Sequence, residues 1–277
     1  MTATTAKKSR AVRSLAARAL RITAAGIDFV RPTRCGVTIL AYHTVGLENG
    51  SMVDVPIDQF RSHLKHLATQ CTVVPLNEAV VAVAEGETSP CVVVTFDDGT
   101  QDFVTNALPA LEEFAIPATV YVATGFVGSS QTPWNTAALS WRDIDVALDS
   151  GLVSIEAHTH QHLVLDKVSP AQASDDFAIC NDAIEAHTGR LPRHLAYPKG
   201  VVPHPEVDAV VREVYDSAAT GRVGVNVEGC DLFRLSRSPV QSVDSDAWFA
   251  RKAAGGLGFE GQAREVANRV RYRNSDT

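Results

Sequence analysis

The chain has 277 residues, of which 45 % are hydrophobic and 21 % charged, a composition typical of a globular protein with a large core. A formal net charge of -7 argues against a nucleic-acid-binding body, and no apolar run is long enough to predict a membrane-spanning helix. Because α/β barrels commonly reach this length as one domain, we expect a single main domain.

Positive charge is concentrated at the N-terminus, where residues 1–34 hold eight basic residues and one acid. Arginines interrupt the apolar stretch of this segment, so it lacks the continuous hydrophobic region of a secretory signal. Two interpretations stay open: an amphipathic helix lying on an anionic membrane surface, or a disordered basic tail. We divide the chain into this segment (1–34), a main domain (35–265) and a charged tail (266–277).

The five cysteines are odd in number and far apart, which does not indicate a disulfide framework. Their pattern favours a reducing compartment, and therefore a cytoplasmic protein, with peripheral membrane association through the basic segment as one option. Secretion stays open as the alternative.

From residue 37 onwards, apolar β-branched runs alternate with amphipathic segments. The predicted elements are strands at 37–42, 91–96, 118–122, 153–157, 194–197 and 217–220, interleaved with helices at 58–70, 76–84, 102–114, 141–148, 169–187 and 206–214. This alternation predicts parallel strands joined by crossover helices, an α/β fold. Residues 124–140 lack periodicity and predict a surface loop that could form one wall of a binding site.

Two adjacent carboxylates, Asp97 and Asp98, follow the predicted strand 91–96, and Gly99 then turns the chain. The carboxyl ends of strands are where α/β barrels place their catalytic side chains. Taken alone, however, this tripeptide is also typical of a polar turn in which an aspartate caps the next helix.

A second group of polar residues, His158 to His162, follows the predicted strand 153–157. His158 and His162 are four residues apart, so a helical turn would bring both rings to one side. An isolated histidine here would indicate an exposed turn. Two imidazoles with one carboxylate, and the remaining positions left to water, are typical of a catalytic zinc site.

Together these motifs resemble the polysaccharide deacetylases with a NodB-homology domain, carbohydrate esterase family four. Residues 95–99 match the family motif T-F-D-D-G, and residues 158–162 match H-[S/T]-x-x-H; the resemblance runs from about 37 to 240. It implies a distorted, incomplete (β/α) barrel.

The resemblance also implies roles for these side chains. Asp98, His158 and His162 would hold one divalent metal ion, and Asp97 would act as general base. Zinc is the favoured metal, with cobalt, nickel and iron as alternatives.

Residues 195–200, Leu-Ala-Tyr-Pro-Lys-Gly, resemble the third family motif, although an ordinary Tyr-Pro turn would also explain them. The resemblance implies that the backbone N–H of Tyr197 helps to form an oxyanion hole, and Pro198 is assigned to substrate binding. Many relatives carry an arginine in this motif that is absent here, so the groups that tune Asp97 stay open.

Many relatives supply a general acid from a late Leu-x-His motif, whereas residues 233–239 contain no histidine. An early Tyr42-His43 pair resembles instead the poly-N-acetylglucosamine deacetylases with permuted motif order, which assigns the acid role to His43. If His43 lay far from the metal residues, Arg237 or a water would be considered. Two further residues are assigned to substrate binding: Arg237, and Trp134, whose ring could stack on a sugar.

The implied function is hydrolysis of N-acetyl groups from amino-sugar units of an acetylated polysaccharide or oligosaccharide, such as an exopolysaccharide. Two alternatives stay open: an O-acetyl esterase acting on a polysaccharide such as xylan, and a non-catalytic carbohydrate-binding derivative of the fold. No nucleic-acid partner is expected.

Overall fold

The structure is a computed structural model that describes residues 35–86, 89–130 and 132–256. The predicted basic segment 1–34, the charged tail 266–277 and the last residues of the main domain lie outside the described residues. In the described part of the chain, no helix is both long and apolar enough to cross a membrane.

Seven parallel strands form one sheet that curls into an almost closed barrel with an unsealed seam. These seven strands are β1 (Val37–Tyr42), β4 (Cys91–Phe96), β5 (Ala118–Val122), β6 (Val153–Ala157), β7 (His194–Ala196), β8 (Ser217–Ala219) and β9 (Arg237–Pro239). Two shorter strands, β2 (Thr44–Val45) and β3 (Asp54–Val55), lie outside this sheet. Their order in the barrel is β8-β7-β6-β5-β4-β1-β9, and β2 pairs separately with β3. At the seam, Ala219 of the edge strand β8 forms a bridge with Leu235, which lies two residues before β9. The expected distorted, incomplete (β/α) barrel is thereby confirmed.

Seven helices accompany the strands in the described part of the chain, and most of them cover the outside of the barrel. They are α1 (Ile57–Gln70), α2 (Leu76–Glu85), α3 (Leu108–Phe114), α4 (Trp141–Asp149), α5 (Pro170–Thr188), α6 (Pro205–Val214) and α7 (Asp246–Ala253). A capping box of Ser169 and Gln172 starts α5, and Gly189, with a φ of 68°, ends it. The predicted helix 102–114 is divided, because a π-helical turn at Phe103–Ala107 precedes α3.

Side chains alternate between two cores along each strand, as the two-residue period of a strand requires. Val94 and Phe96 of β4 face the helices, whereas Val93 belongs to the inner cluster of the barrel. Four buried side chains of α2 join that inner cluster, so α2, which leads into β4, packs against the barrel interior. The two polar motifs, residues 97–99 and 158–162, lie at the other end of the barrel, because they follow the carboxyl ends of β4 and β6.

Glu156 is a carboxylate of the inner face of β6. Its Oε2 accepts hydrogen bonds from the backbone N–H groups of Arg193 and His194, each at 2.8 Å. Burial raises the pKa of Glu156 to about 7, although these bonds and the charge of Arg193 act against the rise. The folded chain therefore binds this proton more tightly than the unfolded chain does.

We predict a pH-dependent stability that the substitution Glu156→Gln removes. Between the unfolded pKa of about 4.3 and the folded pKa of about 7, the folded state binds more protons, so stability falls as pH rises through this window. Glutamine keeps an oxygen for both N–H donors and cannot ionise. Urea unfolding at pH 5 and pH 8 should show a smaller fall for Glu156→Gln than for the parent chain.

Glu185→Gln, at an exposed position of α5, is the matched control and should behave as the parent. An unchanged pH dependence in Glu156→Gln would contradict this interpretation of Glu156.

Candidate metal centre and active site

Three potential metal ligands converge at the carboxyl ends of β4 and β6. The Nε2 atoms of His158 and His162 lie 3.4 Å and 3.2 Å from Oδ1 of Asp98. One ligand atom from each residue lies within 4.8 Å of the others, and no second such group of histidine, cysteine or acidic side chains occurs in the described ranges. Asp98 and His158 are buried, and the His162 side chain is 15 % exposed.

The backbone adopts a left-handed conformation at both motifs. Asp98 has a φ of 73° and His162 a φ of 54°, and Thr159 between the histidines has a φ of 63°. Residues other than glycine rarely adopt this conformation, and such strain concentrates at functional sites because the surrounding structure must hold it in place. The tight turns bring Asp98 and His162 back towards the strand ends.

His158 is oriented through its second ring nitrogen. Its Nδ1–H donates to the carbonyl oxygen of Ala196 on β7 at 2.8 Å, which leaves Nε2 free to face Asp98. Metal-binding histidines are commonly fixed in this way, because the outer hydrogen bond selects the tautomer. One carboxylate, two imidazoles and this outer hydrogen bond suit a zinc-like divalent ion.

Asp176 of α5 binds the backbone of the histidine segment, residues 158–162. The Asp176 carboxylate accepts from the backbone N–H groups of His160 at 2.6 Å and Gln161 at 2.9 Å. Gly125 approaches the same segment so closely that a Cβ there would lie 2.6 Å from the His160 oxygen. Neither residue was singled out from the sequence, because no local pattern marks contacts between distant segments.

Electrostatics keep Asp98 ionised. Burial alone would raise its pKa, but hydrogen bonds from His158 and His162 and the charges of His158 and His43 hold that pKa well below its usual value. For His158, burial acts to lower the pKa, and Asp98 and Asp97 outweigh it and raise the pKa. The anionic ligand oxygens therefore attract positive charge to this point.

The neighbouring carboxylate, Asp97, has different partners. Its Oδ1 accepts from Nη1 of Arg237 at 2.6 Å, and its Oδ2 lies 4.0 Å from Nε2 of His43. Burial acts to raise the pKa of Asp97, but the charge of Arg237, together with His158, His43 and the Arg237 hydrogen bond, holds the pKa below its usual value. Arg237 is itself buried, donates through Nε to the Thr220 carbonyl at 3.1 Å, and has its guanidinium 5.6 Å from the Tyr121 ring centroid.

His43 reaches Asp97 because β1 and β4 are paired in register, with Tyr42 opposite Phe96. The Asp97 N–H donates to the Tyr42 carbonyl at 3.0 Å, which aligns the two strand ends. The His43 side chain is 21 % exposed, so a ligand can reach it from solvent.

Trp134, from the predicted loop 124–140, also lies at this site. Its Nε1–H donates to Oδ2 of Asp98. Its ring packs edge-on against His43, with centroids 5.2 Å apart and an interplanar angle of 81°. The loop is therefore a wall of the site.

Three of the predicted site residues are buried or already hydrogen-bonded within the protein. Arg237 is 3 % exposed and its guanidinium is engaged by Asp97, so it is not placed to bind substrate. Pro198 is buried. The backbone N–H of Tyr197 donates to the Ala219 carbonyl at 2.9 Å as part of the β7–β8 pairing, so it is not a free oxyanion donor.

We predict that Arg237→Met lowers the free energy of unfolding by about 3–5 kcal/mol, because it leaves the buried Asp97 charge without its partner. The double variant Asp97→Asn, Arg237→Met removes that charge and should recover most of the loss. Denaturant unfolding of both variants measures the difference.

Arg222→Met, at an exposed arginine, is the control and should change stability by less than about 0.5 kcal/mol. An Arg237→Met chain as stable as its parent would mean that the guanidinium is solvated and accessible to ligands.

Comparisons with known proteins agree with this site. Residues 84–217 match the family model described as Polysaccharide deacetylase. The poly-beta-1,6-N-acetyl-D-glucosamine N-deacetylase of Staphylococcus epidermidis is 26 % identical over 201 residues, 69 % of this chain and 68 % of that protein.

Among solved structures, IcaB from Ammonifex degensii is 27 % identical, with a TM-score of 0.71, over 80 % of this chain and 99 % of that one. The Streptococcus pyogenes deacetylase PplD shares the fold, with 23 % identity and a TM-score of 0.70 over 79 % of this chain and 98 % of that one. The chain therefore contains a polysaccharide deacetylase domain of the NodB-homology type.

Proposed function

We propose that this chain hydrolyses N-acetyl groups on amino-sugar units of an acetylated polysaccharide or oligosaccharide. The observation that carries the proposal is the position of Asp97 and His43 beside the Asp98, His158 and His162 cluster. The name of the Staphylococcus epidermidis relative, an N-deacetylase of a poly-N-acetylglucosamine, supports an exopolysaccharide of this class as substrate.

Asp98, His158 and His162 would hold one divalent ion, with zinc favoured and cobalt, nickel or iron as alternatives. When bound, such an ion supplies Lewis-acid polarisation of an acyl oxygen and makes water a better nucleophile. Asp98 contributes negative charge, and the Ala196 carbonyl keeps the His158 ring in the ligating tautomer.

Asp97 is the proposed general base. Arg237 binds its Oδ1 and keeps it ionised, while Oδ2 faces the side where a water would stand. Asp97 takes one proton from the water that attacks the acetyl carbon. As the C–N bond breaks, His43 delivers one proton to the departing sugar nitrogen, and the products are acetate and an amine.

The position of His43 suits an amide substrate, and it distinguishes an amide from an activated ester. An amine leaves poorly unless it is protonated, whereas an activated alcohol leaves readily without a proton. A partly exposed imidazole beside the base is the group that an amide requires and an activated ester does not. Attachment of residues 1–34 to an anionic membrane stays a separate proposal.

Substitution of the proposed base, Asp97, and of a proposed metal ligand, His158, should affect metal content differently. Asp97→Asn should bind one equivalent of metal but lose about 10²-fold or more in kcat, because proton removal from water is impaired. His158→Ala should lose stoichiometric metal as well as activity. Elemental analysis and acetate release from N-acetylglucosamine oligosaccharides measure the two properties.

His187→Ala, an exposed histidine on α5, is the control and should keep metal and activity. Full metal content and full activity in His158→Ala would exclude the proposed ligand set. Metal loss in Asp97→Asn would make that residue a ligand instead of the base.

The role of His43 is tested by changing the leaving group. His43→Ala should keep the metal and lose about 10²–10⁴-fold in kcat on the amide substrate, while an aryl acetate should lose far less. Steady-state rates on both substrates are compared under identical metal loading. Equal losses on amide and ester would instead mean that His43 positions the substrate.

A further inference from the structure

The two oxygens of the Asp98 carboxylate face different partners. Oδ1 lies within 3.4 Å of the Nε2 atoms of both His158 and His162. Oδ2 accepts the hydrogen bond from Nε1 of Trp134. One oxygen of the carboxylate therefore faces the two histidines, and the other is bonded to the indole.

The Trp134 loop is fastened to the same stretch of chain that carries Asp98. The Leu139 N–H donates to the Gly99 carbonyl at 2.8 Å, and Thr100 forms a β-bridge with Ala138. Inside the loop, the Thr132 N–H donates to the Thr136 carbonyl at 2.9 Å and closes a turn around Trp134. Since Gly99 and Thr100 directly follow Asp98, the indole and the carboxylate are held as one unit.

We propose that Trp134 is a positioning residue that makes Asp98 a single-oxygen ligand of the metal. This inference rests on the proposed function, because it presumes that Asp98, His158 and His162 hold an ion. An indole N–H is a donor only, so it competes with a cation for Oδ2. Catalytic metal sites need open coordination positions for water and substrate, and a carboxylate bound through both oxygens would fill one of them.

The same ring packs edge-on against His43. Trp134 therefore touches both the ligand carboxylate and the proposed proton donor. This role differs from stacking on a sugar ring, because it predicts a change at the metal even without substrate.

The substitution Trp134→Phe separates the two contacts. Phenylalanine keeps an aromatic ring beside His43 but has no N–H, so Oδ2 of Asp98 becomes free to coordinate. In the cobalt(II)-loaded protein, the visible d–d absorption weakens as the coordination number rises. We expect one cobalt per chain in both proteins, with weaker absorption in Trp134→Phe than in the parent.

Trp141→Phe is the matched control, because Trp141 stacks on His187 away from the site and its loss should leave the cobalt spectrum unchanged. A second measurement uses the double variant Trp141→Phe, Trp248→Phe, in which Trp134 is the sole tryptophan of the chain. Cobalt binding should quench its fluorescence strongly.

Superimposable cobalt spectra of the parent and Trp134→Phe, each with one bound ion, would overturn the inference and leave the proposed function intact. Absence of quenching in the double variant would overturn it as well. Failure of the parent to bind cobalt would overturn the proposed ligand set and this inference together, so the two failures are distinguishable.

Discussion

The buried ion pair of Asp97 and Arg237 joins the first half of the barrel to its last strand. Arg237 starts β9, which pairs with β1, while its Nε bonds to the Thr220 carbonyl directly after β8. One guanidinium therefore spans both sides of the seam and reaches Asp97 at the end of β4. Because a buried arginine is tolerated only when it is paired, closure of the barrel and ionisation of Asp97 depend on each other.

Asp97 and Asp98 are adjacent in sequence but acquire opposite surroundings. The left-handed conformation of Asp98 turns its side chain towards the histidines and Trp134, whereas Asp97 stays in the inner face of β4 against Arg237. Both carboxylates keep a lowered pKa despite burial, but a cation holds one and hydrogen-bond donors hold the other. Environments of this kind give two identical groups different chemical roles.

The parts of the structure that follow from local sequence could be predicted. Strands 91–96, 118–122 and 153–157 match β4, β5 and β6 because each is a short apolar run with clear flanking turns. Two compact motifs follow strand ends, which indicated two histidines and one carboxylate at one site, and the family resemblance implied that Asp98 is that carboxylate. The structure brings Asp98, His158 and His162 together.

The features of the structure that depend on contacts between distant residues could not be predicted from the sequence. β9 escaped prediction because its first residue is a charged arginine that faces inward, which no apolar alternation can indicate. Arg237 is 140 positions from Asp97, so the sequence contained a lone arginine and no signal of its partner. The backbone N–H of Tyr197 was assigned from a motif, and only the pairing of β7 with β8 shows that the group is already bonded.

The strand order explains how residues far apart in the sequence meet at Asp97. β1 lies between β4 and β9, and side chains from both β1 and β9 approach Asp97 at the end of β4. In this chain β9 supplies Arg237, and the end of β1 supplies His43 on the opposite oxygen of the same carboxylate. Since all these strands are parallel, the position of a residue along the chain does not decide which side of Asp97 it reaches. Asp97 therefore has an arginine from β9 at one carboxylate oxygen and a histidine that directly follows β1 near the other.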